Sequence, residues 1–115
     1  MKKGTSNPNL RKLIEDIKEN ASKEDSGFWR KIATELEKSR RKRRQVTISR
    51  INKVTKDNET IVVPGKVLGD DNLNHNVKVA ALEFSSSAKK MIKDSITIRQ
   101  LLKTNPKAKD IRIIG

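Results

Sequence analysis

From Lys38 to Lys56 the chain carries nine basic residues and no acidic one, and this segment limits what the rest can become. Its densest part, Arg40-Arg41-Lys42-Arg43-Arg44, sets four guanidinium groups and one ammonium group in succession. Guanidinium forks match phosphate oxygens in bidentate geometry and stay charged at any relevant pH, so the run makes a phosphate-contacting surface. The segment supplies +9 of a net charge of +13, leaving +4 on the other 96 residues, where acids and bases mix as on an ordinary solvated surface. A field concentrated like this attracts polyanions, nucleic acid first and acidic membrane surfaces second. A nuclear-import tag would explain the five-residue run alone. It would not explain the continuation through Lys38, Arg50, Lys53 and Lys56 into a segment with structural periodicity.

The segment divides two kinds of sequence. On its N-terminal side, Asn7-Pro8 reads as a helix start, with Asn7 as cap, and Leu10, Leu13, Ile14 and Ile17 follow on one helical face. Polar residues from Asn20 to Gly27 break the pattern, after which Trp29, Ile32, Ala33 and Leu36 predict a second amphipathic helix packed on the first. Within the basic segment, Gln45 to Thr47 suits a short strand, and Ile48, Ile51 and Val54 suit a turn or two of helix. Beyond it, Thr60 to Val63 predicts a strand, Pro64-Gly65 a turn and Lys66 to Gly69 a returning strand. Val77 to Phe84 is apolar on both faces, as in an interior strand. Ser85 to Ser87 and Thr97 offer caps for two short helices, the first turning Ala88, Met91 and Ile92 inward and the second Ile98, Leu101 and Leu102. Asn105-Pro106 ends the second helix, and Ile111 to Ile114 closes the chain as a strand. The expected architecture is a single α/β domain over residues 1–115, with a helical extension at 7–37, a basic nucleic-acid-binding segment at 38–56 and an α/β core at 57–115.

Composition narrows the function classes. Apolar residues make up 33% of the chain and charged residues 36%, which predicts one modest core that leans on a partner for order. No apolar run reaches the roughly 18 to 20 residues that span a bilayer, and Met1-Lys2-Lys3-Gly4 leads into polar residues; a cytosolic protein is expected. Without cysteine there is no thiolate nucleophile and no cysteine-based zinc site. His75, the only histidine, sits in Asn72-Leu73-Asn74-His75-Asn76, where contact with RNA or solvent is expected and no second metal ligand stands near in sequence. Asp70-Asp71 reads as a solvated turn in preference to a Mg²⁺ site. No nucleophile elbow, paired-histidine motif or dinucleotide fingerprint is present, so no catalytic residue, metal or cofactor is assigned.

Lys66 is a second candidate phosphate contact, since Gly65 and Gly69 allow close approach and a lysine on a tight turn can meet a phosphate, though a plain hairpin explains these residues equally well. It is not a P-loop, lacking the spacing and the Ser or Thr after the lysine. Phe28, Trp29 and Phe84 are the only aromatics, and each is expected in the core. Readers of single-stranded RNA array several aromatics on a sheet, so folded RNA recognised by backbone and shape is the better fit. The competing class is a chromatin-type DNA-compacting protein, for which the same basic pole would serve. A free-standing RNA-processing factor would require catalytic residues that are not visible.

Several motifs in order carry a family resemblance: Arg43-Arg44-Gln45-Val46-Thr47-Ile48-Ser49-Arg50-Ile51, then Thr60-Ile61-Val62-Val63-Pro64-Gly65-Lys66-Val67-Leu68-Gly69, then Val79-Ala80-Ala81 with Phe84-Ser85, and finally Asn105-Pro106 with Ile111-Arg112-Ile113-Ile114. Together they closely resemble the archaeal and eukaryotic large-subunit ribosomal protein family L-eighteen-e, over essentially the whole chain. Lacking the long eukaryotic-type extensions, the sequence resembles the archaeal form. The resemblance implies kinship with the bacterial large-subunit protein numbered fifteen, an irregular β-β-α superhelical core, and a structural role in binding large-subunit ribosomal RNA beside neighbouring ribosomal proteins. Lys93-Asp94-Ser95-Ile96 departs from the glycines that many members have there. The resemblance brings no catalytic residues. The residues expected to contact RNA are Lys38, Arg40, Arg41, Lys42, Arg43, Arg44, Arg50, Lys53, Lys56 and Lys66.

Overall fold

The computed structural model describes residues 8–38 and 44–114, so the expected cap at Asn7 lies outside the described residues. Helix α1 spans Pro8–Glu24 and buries Leu10, Leu13, Ile14, Ile17 and Ala21 along one stripe. It runs further than the sequence pattern predicts: Ala21, four residues after Ile17, continues the buried stripe through residues that read as a polar link. Asp25 then takes a positive φ of 51°, and the Ser26 hydroxyl caps helix α2 (Gly27–Glu37) by accepting from the Trp29 amide. Trp29, Ile32 and Leu36 on α2 are fully buried, each contributing about 1.5–3 kcal/mol over an exposed position.

Five parallel strands follow: β1 (Arg44–Thr47), β2 (Glu59–Leu68), β3 (Val77–Phe84), β4 (Ser95–Thr97) and β5 (Ile111–Ile113). Strand β2 is the centre. β3 pairs along one edge, and the opposite edge is shared end to end, β5 taking residues 60–62 and β1 taking residues 65–68. Between the strands lie α3 (Ile48–Val54), α4 (Ser86–Met91) and α5 (Ile98–Thr104). Each starts directly after a strand, with Thr47, Ser85 or Thr97 as its N-cap, and Thr97 completes a capping box with Gln100.

The hairpin expected at Pro64-Gly65 is not formed. Residues 60–69 do not fold back; β2 runs straight through, with a register shift against β3 between Val63 and Lys66. Pro64 falls where the edge partner changes from β5 to β1, a point at which a missing N–H is tolerated. Gly65 is required there because a Cβ would lie 1.9 Å from the Arg44 carbonyl oxygen. Close backbone approach explains this glycine; a turn does not. Strand β4, not expected from the sequence, begins at Ser95 within the Lys93–Ile96 departure and pairs with β3, making β3 interior as expected.

The sheet separates two apolar clusters. Val62 and Ala80 face α1, α2 and α5, whereas Ile61, Val63, Val79 and Ala81 face α3 and α4. This alternation explains why β2 and β3 read as apolar on both faces. The helical pair covers one side of the sheet, tied to the C-terminal half by Arg99–Asp16 at 2.9 Å, by Asn20 Nδ2 donating to Pro106 O, and by Trp29 Nε1 donating to Asn105 O at 3.3 Å. Trp29 meets Phe28 edge to face at 5.4 Å, and Phe28 and Phe84 pack half-buried on opposite clusters, so the three aromatics are core residues as expected.

Candidate nucleic-acid interface

Lys38 and Arg44, the described residues on either side of residues 39–43, share one carboxylate. Glu35, buried on the last turn of α2, accepts from Arg44 Nε at 3.0 Å and from Lys38 Nζ at 3.1 and 3.2 Å. The Arg44 hydrogen bond holds the Glu35 carboxyl below its ordinary value of 4.5 against the opposing effect of burial, with Lys38 adding to the lowering. Lys38 and Arg44 therefore hold the segment in place. Arg40, Arg41, Lys42 and Arg43 lie outside the described residues.

Past β1 the segment becomes a helix with three distinct flanks, each repeating every third residue. Ile48 and Ile51 are buried against the sheet with Val54 half-buried behind them. Ser49, Asn52 and Thr55 face the loop of residues 69–76, which returns the chain from the end of β2 to the start of β3. Arg50, Lys53 and Lys56 form the exposed flank. A crossover this short between parallel strands has no helix to satisfy its backbone, and the polar flank of α3 supplies the partners. Asp70 accepts from the Ser49 amide at 3.0 Å and hydroxyl at 2.6 Å, Asn52 bonds the Asn72 carbonyl and the Asn74 amide, and Asp57 accepts from the Asn76 amide. The Ser49 hydroxyl and amide hold the Asp70 carboxyl below its ordinary value of 3.8.

His75 belongs to this ladder. The Thr55 hydroxyl donates its one proton to Ile51 O at 2.6 Å, so at 2.7 Å it accepts from Nε2–H of His75. That nitrogen is turned toward the buried Thr55, while the ring stays half-buried in its loop with Nδ1 beside Asn74 Oδ1. Asp70 serves Ser49, and Asp71 accepts from the Asn72 amide; among the described residues no group of three His, Cys, Asp or Glu side chains is placed to hold a metal ion. No described helix is long and apolar enough to cross a membrane.

The C-terminal end of the exposed flank is also fixed. The Lys56 amide donates to Glu59 Oε1 at 2.9 Å, and Glu59 accepts from Arg112 Nε on β5 at 2.8 Å, while Arg112 Nη2 reaches the Val54 carbonyl at the end of α3. The Lys56 side chain stays exposed. Lys66 is not on a tight turn: it is half-buried within β2, in register between Gln45 of β1 and Glu83 of β3. Of the described candidates, then, the structure gathers Arg50, Lys53 and Lys56 on one flank of α3, pairs Lys38 and Arg44 on Glu35, and sets Lys66 in the sheet. The sequence reading expected lysines on the outer helix faces to add contacts without naming Lys89, Lys90 and Lys93, whose signal is an acid-free basic cluster in Ala88-Lys89-Lys90-Met91-Ile92-Lys93.

The family model described as ribosomal protein 60S L18 and 50S L18e matches residues 1–114. The chain belongs to this family. Among similar proteins, the large ribosomal subunit protein eL18 of Methanothermobacter thermautotrophicus is 42% identical over 112 residues, covering 94% of this chain and 93% of that protein. The protein of the same name from Archaeoglobus fulgidus is 42% identical over 113 residues, covering 95% and 97%. That of Sulfolobus acidocaldarius is 50% identical over 92 residues, covering 80% and 75%. Membership of L18e accords with the resemblance read from the motifs, and the relatives are archaeal as that reading expected.

Proposed function

We propose that this L18e-family chain is a structural constituent of the large ribosomal subunit in the cytoplasm, binding and stabilising folded ribosomal RNA beside neighbouring ribosomal proteins, with no reaction of its own. The carrying observation is a match along residues 1–114 to a family of ribosomal proteins, whose relatives are named for the large subunit. Residues 1–115 act as one unit, with the helical part at 7–37 and the core at 57–115 flanking the basic segment at 38–56. Arg40, Arg41, Lys42 and Arg43, which lie in the chain between the Glu35-bound Lys38 and Arg44, contact phosphates, and Arg50, Lys53 and Lys56 contact them from an exposed helix flank. Lys66 adds a contact at the sheet.

The test is co-sedimentation of the tagged chain with purified large subunits through a sucrose gradient after a high-salt wash. Near-equal molar retention is expected. Loss to the free fraction, together with binding to generic duplex DNA as tight as to ribosomal RNA, would favour a DNA-compacting protein instead. Exchanging Arg40, Arg41, Lys42 and Arg43 for Gln, with the Glu35–Arg44 pair untouched, is expected to weaken incorporation while leaving thermal stability unchanged.

A further inference from the structure

The sheet divides the charge of the molecule as well as its core. On one side, α1 holds four basic and four acidic residues and α2 two of each. Many of these are paired within the layer, through Lys12–Asp16, Lys18–Glu37, Arg30–Asp25 and Arg99–Asp16. On the other side, α3 and α4 hold two basic residues each and no acidic one. Adding the residues just after them, this layer exposes Arg50, Lys53, Lys56, Lys89, Lys90 and Lys93. None of the six makes an ion pair with a described carboxylate. The acids bordering the layer are engaged locally: Asp70 with Ser49, Asp57 with the Asn76 amide and Asp71 with the Asn72 amide. Asp94, next to Lys93 in the chain, is exposed at its margin.

The two helices are also held in fixed relation. Ala88 and Ile92 of the α4 segment share one buried cluster with Ile48 and Ile51 of α3. At the end of β2, the Gly69 amide donates to Ser85 Oγ and the Gly69 carbonyl accepts from Ser87 Oγ, while the next residue, Asp70, holds Ser49. A Cβ on Gly69 would lie 2.5 Å from the Ala88 amide nitrogen, so the strap works only with glycine. With Ala88 and Ile92 turned inward, Lys89 and Lys90 point outward.

Resting on the RNA-binding reading, we propose that the α3–α4 side lies against RNA, that Lys89, Lys90 and Lys93 form a second row of phosphate contacts on the same side of the sheet as Arg50, Lys53 and Lys56, and that the α1–α2 side faces away. Unpaired cations on two helices of fixed spacing suit the phosphates of a folded RNA, whose backbones are themselves held at fixed separations. On the opposite side α1 and α2 are balanced, and α5 adds only Arg99, paired with Asp16, and Lys103, so the field there is weaker.

The test compares two triple variants of the full chain that remove the same charge from opposite sides: Lys89→Gln, Lys90→Gln and Lys93→Gln against Lys18→Gln, Lys23→Gln and Lys31→Gln. Binding to a large-subunit ribosomal RNA transcript is measured over a series of KCl concentrations. By analogy with duplex DNA, three lost phosphate contacts flatten the slope of log affinity against log salt by about 2 to 3, and the control triple leaves it near wild type. Equal slopes for the two triples would overturn the proposal while leaving RNA binding intact. A wild-type chain with no salt-dependent RNA binding would overturn both. Amine acylation of the wild-type complex reads the same point without mutation: Lys89, Lys90 and Lys93 are expected to be protected, Lys23 and Lys31 to react, and the reverse pattern would refute the orientation.

Discussion

Glu35 Oε1 accepts from Arg44 Nε at 3.0 Å, joining the last turn of α2 to the first residue of β1 across the basic run. The same carboxylate holds Lys38, so a single buried acid fixes both described ends of a segment whose like charges repel one another. Replacing Glu35 with Ala leaves the half-buried Arg44 without its partner. A loss of about 2–3 kcal/mol is expected, read as a lower urea midpoint, because a buried charge-assisted hydrogen bond is broken from one side.

Acid should unfold the chain partly through this group. The carboxyls of Asp16, Glu35, Glu59 and Asp70 are all held below their ordinary values of 3.8 for Asp and 4.5 for Glu, by Arg99, Arg44, the Lys56 amide and Ser49 respectively. A lowered folded value means that the unfolded chain binds protons first. The stabilisation is therefore complete above the ordinary carboxylate range and is lost as pH falls through the folded values. Thermal melts in a pH series are expected to show Tm falling with acid, more shallowly in Glu35→Gln than in wild type.

At Gly65 the expected effect is steric. Gly65→Ala places a Cβ against the Arg44 carbonyl and pushes β1 from β2, at a cost of about 3 kcal/mol. Amide hydrogen exchange should accelerate first at Val46 and Thr47.

Asp70→Ala removes both bonds to Ser49 and frees the loop from the start of α3. About 1–2 kcal/mol of stability should go, with faster exchange confined to α3 and residues 70–76. Loss of RNA affinity out of proportion to the stability change would show that the ladder positions Arg50 and Lys53.

Trp29 is the only tryptophan and is fully buried between the helical pair and the C-terminal half. Its fluorescence reports docking of that pair, whereas circular dichroism reports all helices. Coincident urea transitions by the two probes are expected if residues 8–114 unfold as one unit; an earlier fluorescence transition would mean that the helical pair separates first.

Much was legible from the residues alone. Leu10 to Ile17 and Trp29 to Leu36 announce two helices by period, and Ser85 and Thr97 announce helix starts by chemistry, because both signals are local to a few residues. The motif order was specific enough to name the family. The concentration of positive charge at residues 38–56 needs only counting. What the residues could not display was which atoms meet across distance. Pro64-Gly65 carries the same local preferences in a turn and in a bulged strand, and only the close approach of Arg44 selects the strand. Lys38 and Arg44 look like ligand-facing cations until the fold sets a buried Glu35 between them. His75 reads as a loop residue, and only the fold shows that its Nε2 meets the buried Thr55. The sequence by itself determined the elements, the family and the presence of a basic pole, since these follow from composition and short-range spacing. Only tertiary structure decided which cations are paired and which stand free, and that the lysines of α4 share a side with those of α3, because the sheet brings together residues about forty positions apart in the chain.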